Sequence, residues 1–431
     1  MQRTIFSFSI EDITQFKQQL LCWSQQFETA IFLDSNNYKQ QYTSFDAVLA
    51  VDEFTSIKTD FQNAFGKLQE YQTTTKDYIF GYVSYDVKND IEQLSSNNFD
   101  GLDFADLFFF QPQKIIFIKG NIVELQYLKM VDDEMESDFA KIQQTNHQEI
   151  QQSTPDIKIK LRTHKDEYQE KVTAILQHIH RGDIYEANFC QEFYAENTEI
   201  NPLKTYQDLN KISEPPFAVF LKINHHYLLS ASPERYIRKE GNKIISQPIK
   251  GTAKRLKSKF DDEKIASDLA KDAKERSENV MIVDLVRNDL SKSAIKGSVK
   301  VEELCKVYSF KQVHQMISTV VCEIDEKIAP IQVLKDTFPM GSMTGAPKVS
   351  AMKIIEKYEN TKRGLYSGAV GYFTPNGNFD FNVVIRSILY NQEKKYVSYS
   401  VGSAITAKSN PEKEYEECLL KAKAMKFVLS K

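Results

Sequence analysis

Lys250 stands in the run Gln247-Pro248-Ile249-Lys250-Gly251-Thr252, between a proline-set strand and a glycine, where the backbone is constrained. Lys254 and Arg255 follow closely. Neighbouring positive charge and burial both favour the neutral amine, the form that attacks carbon. A surface lysine before a turn is the competing reading. A second constellation is acidic. Glu414 and Glu417 lie three apart on a helix that starts after Pro411, so they share a face, and Glu278 ends another acidic helix before an expected apolar strand, Val280 to Val286. Carboxylates converging from two helices are what Mg²⁺ needs, although such pairs are commonly solvated faces. Arg386 lies within Asn382-Val383-Val384-Ile385-Arg386-Ser387. An arginine in such an apolar run needs a partner, either a structural carboxylate or the carboxylate of a substrate. Tyr372 is a further candidate donor or a core tyrosine. Thr344-Gly345-Ala346-Pro347-Lys348 marks a helix start whose unpaired N–H groups suit a carboxylate or phosphate, or it is an ordinary helix entry.

The elements that must position these residues are mixed in order. Ile31-Phe32-Leu33, Phe108-Phe109-Phe110 and Ile115 to Ile118 read as buried strands. Thr163 with Asp166 resembles a capping box, Tyr168, Val172, Ile175 and Ile179 share one helical face, and Gly182 ends that helix. From Ile184 to Phe193 apolar and polar residues alternate, which predicts a half-buried strand with Glu186 on its polar face. A long polar helix is expected from about Phe260 to Asn279. The absence of a regular strand–helix alternation favours an α+β fold over a Rossmann fold. Gln143 to Pro155 is polar and aperiodic, and reads as a connection between an N-terminal subregion, 1–155, and a C-terminal region, 156–431.

The whole chain restricts the choice. Its 431 residues are 41% hydrophobic and 12% aromatic, enough for a sizeable core. With 55 basic and 59 acidic residues the net charge is −4, which gives no reason to expect nucleic acid or an anionic membrane. No stretch approaches the roughly 18 apolar residues of a membrane span, and the first residues do not read as a signal peptide. The scattered cysteines (Cys22, Cys190, Cys305, Cys322, Cys418) suggest a reducing cytoplasm and no zinc site. None lies in a Gly-x-Cys-x-Gly setting, so no nucleophile for glutamine hydrolysis is visible.

Taken in order, the motifs resemble the chorismate-utilising enzymes, a family that includes anthranilate synthase large subunits, aminodeoxychorismate synthase component I and isochorismate synthases. The stretches are Gly182-Asp183-Ile184-Tyr185, Ser232-Pro233-Glu234-Arg235, Pro248 to Thr252, Met281 to Leu290, Gly341 to Lys348, Arg386, and Pro411 to Glu417. They span about residues 165–420, with fainter matches at Phe32 to Ser35 and Gly81 to Asp86. The resemblance implies two large antiparallel sheets packed as a sandwich, flanked by helices. It implies that Glu278, Glu414 and Glu417 form a Mg²⁺ shell that grips the ring carboxylate. Glu234 matches an acid serving the departing C4 hydroxyl. Arg386, Tyr372 and the backbone of Gly402, Ser403 and Ala404 match a clamp on the enolpyruvyl carboxylate, and Thr344 and Thr252 match positions near the substrate.

Within the family, anthranilate synthases typically carry alanine where this chain has Lys250, and aminodeoxychorismate synthases carry lysine. The resemblance therefore implies amination of chorismate at C4, with ammonia from a separate glutaminase subunit and a lysine adduct at C2. Its competitors are an anthranilate synthase large subunit, an isochorismate synthase and a non-catalytic subunit that only binds a glutaminase. Three departures stand out. Glu186 replaces a usual glutamine, or the water-activating lysine of isochorismate-type members. Gln315, with His314 beside it, replaces a histidine linked to pyruvate elimination. Gly402-Ser403-Ala404 is poorer in glycine than usual.

Overall fold

Ile31 and Phe32 are neighbours on one strand, Thr29–Asp34, and both are buried, yet they belong to different cores. Side chains alternate across a strand, so a strand that is apolar at every position must be covered on both faces. Phe32 turns to a layer of helices, Ile13–Trp23, Lys165–Arg181, Pro202–Ser213 and Pro411–Leu429, where it joins Phe16, Tyr168, Leu209 and Met425. Ile31 turns to a second sheet and packs with Phe80, Phe109, Val370 and Phe381. This computed structural model describes residues 2–38, 40–145 and 157–430. The boundary expected at 155/156, and most of the connection expected from Gln143 to Pro155, lie outside the described residues.

Every ladder between named strands is antiparallel. One sheet runs through Ala47–Thr59, Thr29–Asp34, Phe217–Ile223, His226–Ser232, Ser387–Asn391, Tyr396–Thr406 and Glu186–Ala195. The other runs through Ile79–Val83, Ala369–Phe373, Phe379–Val383, Arg235–Glu240, Lys243–Gln247 and Val313–Glu323. The long strands Ala47–Thr59 and Leu107–Lys119 serve both, with a register shift between Glu53 and Thr55. This is the expected antiparallel sandwich flanked by helices. Strands from before and after the undescribed connection pair directly in both sheets.

Two neighbouring connections cross from sheet to sheet. His226–Ser232 leaves the first sheet, and after Pro233 and Glu234 the chain enters the second as Arg235–Glu240. Phe379–Val383 leaves the second, and after Val384 to Arg386 the chain enters the first as Ser387–Asn391. The Val383 N–H donates to the Glu234 carbonyl at 3.0 Å and the Ala231 N–H to the Arg386 carbonyl at 3.1 Å, so the crossings lie side by side. Arg386 has φ 53°, a left-handed conformation that strands do not use.

Several local expectations are corrected. Val280 to Val286 is not a strand but the interior of the helix Ala273–Ser291. Its buried residues Ile282, Val283, Val286 and Leu290 repeat at helical spacing, while Val280 is exposed. The long polar helix is broken at Asp272, which caps Ala273–Ser291 by accepting from the Glu275 N–H at 2.9 Å. Lys165–Arg181 is capped at His164 without a side-chain bond, not at Thr163, though its apolar face and Gly182 stop are as expected. Glu186–Ala195 is buried on both faces, not half-buried. Its polar face meets polar partners, not water: Glu186 meets Lys250, and Glu192 meets Arg162 and Tyr396.

Candidate active site

The Ile249–Lys254 strand carries one extra residue against Val313–Glu323, because Ile249 pairs with Ile317 while Thr252 pairs with Gln315. Gly251, at φ +94°, absorbs this bulge. Lys250 is thereby aimed at the Glu186–Ala195 strand, and its Nζ donates to Glu186 Oε1 at 3.0 Å. The Lys250 carbonyl accepts from Asn279 Nδ2 at 3.3 Å. Asn279 also donates to the Met316 carbonyl at 3.1 Å and accepts from Ser318 Oγ, so the bulge is fixed to the Ala273–Ser291 helix.

The expectation that Lys250 is held neutral by burial and by Lys254 and Arg255 is not met. Burial does oppose its charge, but Glu186, with Glu278 and Glu417 behind it, outweighs burial and raises the lysine above its ordinary value. Alternation along the strand leaves Lys254 exposed, and Arg255 is paired with Asp262 at 2.7 Å. Thr252 is exposed and makes no side-chain hydrogen bond among the described residues.

Glu234 is 5% exposed at its crossing. Burial pushes its carboxyl up to about 7, against the lowering effects of a hydrogen bond from Ser342 and the charge of Lys250. Ser342 Oγ donates to Glu234 Oε1 at 2.7 Å. Thr344 is fully buried, with its hydroxyl on the carbonyls of Met340 and Gly341 at 3.3 Å. Gly345 beside it pairs with Ala187, where a Cβ would stand 2.1 Å from the Glu186 carbonyl oxygen. The helix that follows starts at Lys348, with Pro347 at the cap and not in the first turn. Lys348 turns inward to Asp289 at 2.5 Å.

Arg386 is half-buried, and among the described residues its guanidinium has neither an ion pair nor a hydrogen bond. Burial draws it below its ordinary value, against the opposing effects of Tyr366 and Glu417. The tyrosine facing it is therefore Tyr366, not Tyr372. The Tyr372 ring packs between Phe45 and Phe80, and its charged neighbours are Asp380, Arg238 and Arg235. Tyr366 lies in the turn just before the Ala369–Phe373 strand that carries Tyr372, and spacing alone does not tell which of the two reaches Arg386. Gly402, Ser403 and Ala404 pair with Cys190, Phe189 and Asn188, and over this stretch no described strand takes the other edge. That edge is partly engaged, since the Gly402 carbonyl accepts from Lys421 Nζ at 2.8 Å.

The acidic trio shares one neighbourhood. Lys274 is held above its ordinary value by Glu278, Glu414, Glu275 and Glu417, which outweigh its own desolvation. Glu278 pairs with Lys274 at 3.6 Å, Glu417 with Lys421 at 2.6 Å, and Glu414 accepts from Ser403 Oγ. Among the described residues no three acidic, histidine or cysteine side chains meet closely enough to hold one ion. Their oxygen chemistry nevertheless suits a hard cation, and Lys274 already supplies positive charge beside them. His314 is committed elsewhere, to Asp262 at 3.0 Å and Ser309 at 2.8 Å, while Gln315 lies on the opposite face of its strand.

The model of the chorismate binding enzymes matches residues 28–427, so the chain belongs to that family. The aminodeoxychorismate synthase component 1 of Escherichia coli K12 is 39% identical over 253 residues, 59% of this chain and 55% of that protein. The anthranilate synthase component 1 of Aquifex aeolicus is 33% identical over 365 residues, 80% of this chain and 73% of that protein. Among solved structures, anthranilate synthase component I from Streptococcus pneumoniae superposes with a TM-score of 0.76 at 23% identity, covering 90% of this chain and 94% of that one. The menaquinone-specific isochorismate synthase of Escherichia coli also gives 0.76, at 15% identity, over 99% and 95% of the two chains. The fold is therefore shared by enzymes with different products, and the choice between them rests on particular side chains.

Proposed function

We propose that this chain aminates chorismate at C4 to give 4-amino-4-deoxychorismate, using ammonia from a separate glutaminase subunit. The observation that carries this assignment is Lys250. It is aimed by a bulge into the site that also contains Glu234, at a position where an enzyme that only needed ammonia would have no use for a primary amine. Arg386 binds the enolpyruvyl carboxylate through its unpaired guanidinium. Glu234, protonated up to about pH 7, gives its proton to the C4 hydroxyl, which leaves as water. Lys250 passes one proton to the Glu234 carboxylate left by that step, and its freed lone pair forms a bond to C2 as the ring double bond shifts. Ammonia then bonds to C4, the double bond shifts back, and the C2–Nζ electrons return to the lysine.

Glu278, Glu414 and Glu417 would hold Mg²⁺ after exchanging their present lysine and serine partners. Bound there, the ion would neutralise the ring carboxylate and fix its orientation. Five free thiols are in keeping with a reducing cytoplasm, and no described helix is long and apolar enough to cross a membrane.

The test is incubation of the purified chain with chorismate, Mg²⁺ and ammonium, with Lys250→Ala in parallel and the product identified by mass and ultraviolet spectrum. Aminodeoxychorismate from the wild type and none from the variant is expected. Anthranilate with pyruvate would instead assign the reaction named for the Aquifex aeolicus relative, and no loss of chorismate would leave a binding subunit.

A further inference from the structure

Glu186 has two oxygens with different surroundings. Oε1 accepts from Lys250 Nζ at 3.0 Å. Oε2 is fully buried and accepts from nothing among the described residues, although the residue is only 1% exposed. A buried carboxylate oxygen without a donor is costly, so this oxygen is built for a reactant that brings N–H or O–H groups. The carboxylates of chorismate only accept. Its C4 hydroxyl is the group that Glu234 serves. The remaining reactant is the nitrogen source.

We propose that Glu186 Oε2 binds the ammonium ion and takes one proton from it, so that this chain can use ammonium as well as free ammonia. The inference rests on the amination proposed above. The step balances. Ammonium gives a proton to the Glu186 carboxylate, and the freed lone pair makes the C4–N bond. As the C2–Nζ bond breaks, its electron pair stays on Nζ, and the protonated Glu186 carboxyl turns to hand that proton to Nζ, which regains its ammonium form. Glu186 is thereby ionised again for the next cycle.

The surroundings favour a cation. Lys250 faces Glu186 from the Ile249–Lys254 strand and Glu278 faces it from the Ala273–Ser291 helix, while Glu417 of the Pro411–Leu429 helix lies behind Lys250. The adjoining strand residues, Gly345, Ala346 and Thr406, bring no charge. A glutamine at this position would accept a hydrogen bond but could take no proton.

The experiment titrates ammonium chloride at saturating chorismate and constant Mg²⁺, from about pH 7 to about pH 9, with wild type, Glu186→Gln and Glu186→Asp. If ammonium is bound, the wild-type KM for total ammonium stays nearly flat across this range. Glu186→Gln, restricted to free ammonia, has a higher KM at the acid end that falls about tenfold per pH unit. Glu186→Asp keeps part of the flatness, and KM for chorismate changes little in either variant. Because the signature is in the ammonium KM, a general loss of kcat does not mimic it. A wild-type KM that itself falls about tenfold per unit overturns the proposal, as does a Gln variant indistinguishable from wild type. Should Glu186→Gln not fold, the wild-type slope and Glu186→Asp still decide. A wild type that forms no aminated product overturns the function proposed above, whereas amination with the wrong ammonium dependence overturns Glu186 alone.

Discussion

At the scale of single residues, the site separates two ionisable groups by their environments. Glu234 has its carboxyl raised to about 7 chiefly by burial, while Lys250 keeps its charge because Glu186 outweighs burial. A raised carboxyl is protonated below its pKa and loses the proton as pH rises through it. The kcat for chorismate consumption with ammonium is therefore expected to fall as pH passes about 7. Glu234→Gln should lower it by about 10²–10⁴-fold and remove that limb. A wild-type kcat that stays flat as pH rises through about 7 to about 9 would show that Glu234 is not the acid. Lys250 and Arg386 are legible as residue types that are expensive in a constrained or apolar run, the acidic trio through its placement on two helices, and Glu234 only through the Ser232-Pro233-Glu234-Arg235 stretch of the family resemblance. Tyr366 is not, because a tyrosine in a buried segment is ordinary unless its neighbour is known.

At the scale of elements, the functional side chains sit where regular structure is interrupted. Lys250 is on a bulge, and Glu234 and Arg386 are on the two crossings between sheets. Glu278 and Asn279 ride on a helix whose first turn depends on Asp272. Asp272→Ala should cost about 1 kcal/mol, read as a lower urea midpoint; an unchanged midpoint would mean the helix start is held by other contacts. Gly345→Ala should be more damaging, since its Cβ would stand 2.1 Å from the Glu186 carbonyl oxygen. Loss of both thermal stability and turnover is expected, and a fully active variant would show that Glu186 does not need this strand pairing. Val280 to Val286 reads as a strand because it is rich in β-branched residues and short. Its buried set shows the helical period only when followed on to Leu290.

At the scale of the molecule, strands before and after the undescribed connection are interleaved. Thr29–Asp34 pairs with Phe217–Ile223, and Ile79–Val83 with Ala369–Phe373, and the inter-sheet core draws on both regions. The chain has a single tryptophan, Trp23, buried in the N-terminal region. Unfolding followed by its fluorescence and by far-ultraviolet circular dichroism should give coincident transitions. Separated transitions would mean that the two regions hold their structure independently.

By itself the sequence determined the kinds of chemistry available. A constrained lysine, paired carboxylates and an arginine in an apolar run can be read from residue type and spacing, and period-two and helical patterns point to the α+β class. Tertiary structure decided which groups face one another. Lys250 and Glu186 are 64 positions apart, and Ser342 and Glu234 are 108 apart. Such pairings depend on strand register, a bulge and two sheet crossings, none of which a local pattern encodes. The charge of Lys250 followed from its facing carboxylate and not from its sequence neighbours, because electrostatic energy depends on distance in space.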